Sequence, residues 1–81
     1  MTPNFKTMEK DARIKKLERD FEFVVSAIIQ NEIYIDTLRT VEGAKEVQDP
    51  VHKIAETEEI IVAQKFELER IKRYLTKEYE A

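Results

Sequence analysis

The chemistry-bearing residues of this chain are few. His52 is the only histidine, and Glu56 and Glu59 follow it within two helical turns. A metal reading would recruit those carboxylates. Di-metal sites in helical bundles, however, draw several Glu residues and two Glu-x-x-His pairs inward, and neither pair is present. The expectation is a surface histidine in the first turn of a helix, with no metal. Ser26 stands alone without a base at reachable spacing, and Glu58-Glu59 occupy adjacent, solvent-facing helical positions instead of opposite walls of a cleft. With no cysteine and no Gly-rich phosphate loop either, neither nucleophilic catalysis nor nucleotide chemistry has its parts. No enzymatic activity and no cofactor are expected.

Two further clusters invite a binding role. Lys6, Lys10, Arg13, Lys15, Lys16 and Arg19 form the densest basic stretch, which would suit a phosphate backbone. Glu9, Asp11, Glu18 and Asp20 interleave with it, and the sequence pI is 5.2. Basic groups point around most of the cylinder, so a solvated helix is the simpler reading. A nucleic-acid accessory role is the alternative. Near the other terminus, Tyr74 and Tyr79 sit among Lys72, Arg73 and Lys77. Glu67, Glu69, Glu78 and Glu80 make that segment too acidic for a membrane-surface helix, so tyrosines capping a core or anchoring a protein partner are expected.

The elements that must carry these residues follow from length and composition. The 81 residues are 42% hydrophobic and 38% charged, with one glycine and two prolines. Such a chain is too apolar for a disordered tail and too poor in turn residues for a sandwich or barrel. It contains no disulfide framework or thiolate metal site, no apolar run long enough to span a bilayer, and no apolar core of a signal peptide in Met1–Lys10. A cytoplasmic protein is the expectation.

Helix signals fall in two sets. Thr2-Pro3 offers a capping hydroxyl followed by proline, with Asn4 or Thr7 as later caps. Met8 to Val41 contains no glycine or proline, and Gly43 is expected to take a left-handed conformation that ends the helix. Asp49-Pro50 repeats the cap-plus-proline signature, and Val51 to Tyr79 again lacks a breaker. The spacing predicts one domain: a helix over about 5–42, a turn over 43–48 and a second helix over about 50–79. So short a connection makes the helices antiparallel neighbours. The fold class is all-α, an α-helical hairpin of coiled-coil type.

Periodicity supplies the pairing. Ile14, Leu17, Phe21, Val24, Ile28, Asn31, Ile35 and Leu38 alternate spacings of three and four. So do Ile54, Thr57, Ile61, Gln64, Leu68, Ile71, Leu75 and Glu78. Folding at the turn sets Leu38 beside Ile54, Val24 beside Leu68, Phe21 beside Ile71 and Leu17 beside Leu75. Asn31 is the polar member of the better seam. It either specifies register and oligomeric state or hydrogen-bonds to Gln64 or Thr57 in a partly wet layer, and the two roles are compatible.

The seams do not use up the apolar residues. Phe23, Val25, Ile29, Ile33 and Tyr34 lie off the first, and Ile60, Val62, Ala63, Phe66 and Tyr74 off the second. A soluble monomer rarely exposes so much, and a chain this short buries only about 60% of its unfolded surface alone. Dimerisation into a four-helix bundle is therefore expected. Phe21, Phe23, Val25, Ile28, Ile29, Asn31, Ile33, Ile60, Phe66 and Tyr74 are the candidate contacts to a second copy or another protein.

The net charge of −3 is unevenly spread. Residues 32–59 carry eight acidic and three basic groups, whereas residues 1–31 and 60–81 each sum to +1. In an antiparallel hairpin the loop end is acidic and the terminal end mildly basic. Head-to-tail packing of two hairpins would bring opposite signs together. The function these features suggest is protein–protein association, as an adaptor, assembly factor or inhibitor.

Overall fold

The computed structural model describes residues 9–80. Caps at Thr2, Asn4 or Thr7 lie outside the described residues. The chain folds as α1 (Lys10–Leu38), a five-residue α2 (Val41–Lys45) and α3 (Pro50–Glu80). The two long helices pack against each other, and there is no strand among the described residues.

The turn differs from the expected one in three ways. First, α1 ends at Leu38 and does not run on to about 42. Thr40 adopts an extended conformation, φ −84° and ψ 154°. Its hydroxyl donates to the Thr37 carbonyl at 2.7 Å and accepts from the Gly43 N–H at 3.0 Å. One side chain thus helps close α1 and caps α2, which is how a threonine interrupts a helix that contains no glycine or proline.

Second, Gly43 is not left-handed; it sits buried inside α2 with an ordinary negative φ. Its lack of a side chain serves close approach instead. A Cβ there would stand 2.0 Å from the Thr37 carbonyl oxygen. Third, the left-handed residue is Asp49, at φ 51°. Aspartate tolerates that region better than most side chains, and its Oδ1 accepts the His52 N–H at 3.1 Å. The expected Asp49-Pro50 cap is therefore present, with proline at the first position of α3.

Every seam position on both long helices is buried or half-buried. Leu17, Ile71 and Leu75 form one core cluster, with Ile14, Phe21 and Val24 packed on it. Ile28, Ile35 and Ile61 form a second, with Val24, Ile54 and Leu68 against it. Val24 therefore packs on both. The residues expected to pair near the termini share these clusters: Leu17, Phe21, Ile71 and Leu75 belong to the first, and Val24 and Leu68 both pack on the second. Thr57, buried on the seam at 6% exposure, turns its hydroxyl back to the Lys53 carbonyl. No side chain is completely enclosed among the described residues, as expected for a core only two helices thick.

Candidate interaction surface

The exposed side of each long helix is set by the same periodicity that builds the seam. Residues displaced from the 3-4 rows fall on the flanks or the outer face of a helix. Phe23 is 76% exposed and Phe66 75% exposed. Ile29, Ile33, Ile60, Val62, Tyr34 and Tyr74 are also exposed. Val25 is half-buried. Phe23, Ile29, Ile60 and Val62 fall at the waist of the hairpin, where residues 23–31 of α1 and 60–64 of α3 carry no charge, and Phe66 stands just beyond it between Lys65 and Glu67.

The ten expected contact residues thus divide. Phe23, Ile29, Ile33, Ile60, Phe66 and Tyr74 are open to solvent, and Val25 partly so. Phe21, Ile28 and Asn31 lie on the hairpin's own seam; Ile28, at 7% exposure, presents almost nothing to another molecule. Val41 and Val51, exposed near the turn, were not among the expected contacts. Lying off the 3-4 rows is the signal that would have found them.

Charges organise the rest. Arg13 donates from Nε and Nη2 to the two carboxylate oxygens of Glu78, at 3.0 and 3.1 Å, joining the free ends of α1 and α3. This paired geometry holds the Glu78 carboxyl below its ordinary value, chiefly through the hydrogen bond from Arg13, and raises the Arg13 guanidinium. Lys16 pairs with Asp20 at 2.7 Å, Arg70 with Glu67 at 2.6 Å, and Lys72 with Glu69 at 3.4 Å. At the turn, Arg39 reaches Glu58 at 3.4 Å. Withdrawal from water, followed by the Glu18 carboxylate, pushes the Tyr79 phenol up.

Two grooves run between the long helices near their free ends. One is lined by Lys16, Asp20, Glu67, Arg70 and Tyr74, the other by Glu18, Phe21, Glu22, Leu75 and Tyr79. They lie on opposite flanks of the seam, as the heptad rows require for an antiparallel pair.

His52 Nε2 contacts Glu56 Oε1 at 2.7 Å on an exposed surface. No group of three metal-ligating side chains converges among the described residues, and Ser26 is exposed. No described helix is long and apolar enough to cross a membrane. No protein family, curated protein or solved structure matched the chain on comparison.

Proposed function

We propose that this protein is a non-enzymatic, self-associating interaction module: a helical hairpin that forms a four-helix bundle and presents its remaining helix faces to a protein partner. The observation that carries this reading is the uncharged waist. Phe23 and Phe66, each about three-quarters exposed, stand on two helices whose core is a single seam. Burying such rings supplies apolar area that the hairpin alone lacks. The partner would read the open rows as i, i+3, i+4 and i+7 anchors, and the role is that of an adaptor, assembly factor or inhibitor. Nucleic-acid binding has less to stand on, because Arg13 and Lys16 in the basic stretch are already engaged with Glu78 and Asp20.

Mass action provides the test. Thermal unfolding of an associating chain depends on concentration. The melting temperature is expected to rise with protein concentration over a hundredfold range. The double replacement Phe23→Glu with Ile60→Lys, at two exposed positions, is expected to remove that dependence while the helices remain by circular dichroism. A melting temperature independent of concentration and unmoved by the double replacement would overturn the reading.

A further inference from the structure

The two flanks of the seam differ in what a second copy of the chain would meet. On the groove side of Lys16, Asp20, Arg70 and Tyr74, the next residues of the same rows are Phe23, Ala27 and Tyr34 on α1, with Ile60 and Ala63 on α3. From Phe23 to Thr37 this flank of α1 carries no charge. Ala27 and Ala63 are the small residues in the middle of these rows, where a neighbouring helix can come close. On the opposite flank, Val25, Ile29 and Val62 alternate with charged residues: Glu18, Glu22, Glu32, Asp36 and Glu69, with Lys15, Arg39 and Lys65.

We infer that the flank of Phe23, Ala27, Tyr34, Ile60 and Ala63 is the self-association face, and that two copies pack on it head to tail, α1 against the partner copy's α1 and α3 against its α3. This rests on the interaction-module reading and specifies its first partner. Three observations support a second copy as the occupant. The first is charge at the ends. A head-to-tail pair lays the acidic loop end, residues 32–59 with a balance of −5, over terminal segments of +1 each. A head-to-head pair stacks the two acidic ends.

The second is charge along the flanks. Pairing α1 with itself about its middle on the opposite flank would set Glu22 by the other copy's Glu32 and Glu18 by its Asp36. Like charges so placed select against that face. On the Phe23 flank, pairing about Ala27 and Ala63 sets Asp20 by the other copy's Tyr34 and Arg70 by its Glu56, so like charges do not meet there. The third is area. The hairpin is 50 Å long, and a two-helix face about 20 Å wide over most of that length presents on the order of 800 Å², what each partner of a standard dimer buries. The pairing is isologous and closes, so it yields a dimer and not a filament. It leaves Val25, Ile29, Val62 and the outward-facing Phe66 for a different protein.

The chain's lack of cysteine makes the test direct. Single replacements Ala27→Cys and Ala63→Cys lie near the twofold axis of the inferred pair, whereas Val62→Cys lies on the other flank. Each variant is treated with a short bismaleimide, and the mass of the untreated protein is measured by light scattering behind size exclusion. The expected result is twice the 9.6 kDa chain mass, with rapid cross-linking at positions 27 and 63 and little at 62. Cross-linking at 62 and not at 27 or 63, with doubled mass, would overturn the choice of flank and leave the association reading intact. A single-chain mass at every concentration, with no cross-link at any of the three, would overturn the self-pairing itself. That outcome would also remove self-association from the proposed function, whereas cross-linking at 62 alone would not.

Discussion

Asn31 Nδ2 donates to Gln64 Oε1 at 3.0 Å across the seam, one turn from Ile28 and Ile35 on α1 and three residues from Ile61 on α3. Two amides that would each be costly alone in an apolar layer satisfy one another there. Any shift of α1 past α3 would separate them, so the pair fixes the register of the hairpin. Asn31→Leu alone strands the Gln64 amide and is expected to lower stability by about 1 kcal/mol. The double replacement Asn31→Leu with Gln64→Leu is expected to be more stable than either single variant and less uniquely packed. Urea denaturation of all four proteins in a double-mutant cycle measures the coupling. Additive effects would mean the pair does not act as a unit.

Ile60 and Ile61 are adjacent in the chain and opposite in environment, at 50% and 7% exposure. Ile61→Ala is expected to cost about 2–5 kcal/mol at any protein concentration, because it empties a position in the seam. Ile60→Ala is expected to change stability by no more than about 0.5 kcal/mol in dilute protein and to weaken association at high concentration. Chemical denaturation at two concentrations separates the two effects. Equal losses for both variants in dilute protein would contradict the seam.

Gly43→Ala would ordinarily favour a helix by about 1 kcal/mol. Here the added methyl meets the Thr37 carbonyl oxygen at 2.0 Å, so the turn must open. The expected result is a loss of about 1–3 kcal/mol in a thermal melt. Gly43→Ala with a raised melting temperature would mean that α2 does not double back on α1 as described.

The Arg13–Glu78 pair sets an acid limit on the joined termini. Glu78 is lowered from an ordinary value of 4.5, so its contribution is complete above that value and is lost as pH falls through the lower folded value. Wild type is therefore expected to melt above Glu78→Gln at pH 7, with the gap narrowing progressively below pH 4.5. A gap that stays constant to pH 2 would show that the ion pair contributes nothing to the difference.

Much of the fold is legible in the sequence, because 3-4 spacing reports directly which side of a helix meets its neighbour. Ile14 to Leu38 and Ile54 to Glu78 take up their seam with no position misplaced. The turn is less legible. Thr40 ends one helix and caps the next through a hydroxyl whose partners are backbone groups of the fold itself. Gly43 carries the signature of a left-handed terminator but is required for contact with Thr37, a distinction that composition does not encode. The exposed surface is legible by the same phase that sets the seam. Ile28 and Asn31 are as apolar or as unusual as residues on the flanks, and only the phase of the helix separates them.

The division of the core into two clusters that share Val24 has a kinetic consequence. Contacts near the turn close short loops and those near the termini close long ones, so the cluster of Ile28, Ile35 and Ile61 forms first and opens last. The cluster of Leu17, Ile71 and Leu75 can come apart while the turn-proximal half stays zipped. Amide protection is then expected to be graded along the molecule, deepest around Ile35 and Ile61 and shallowest towards Arg13 and Glu78, as in a pair of tweezers held at the turn.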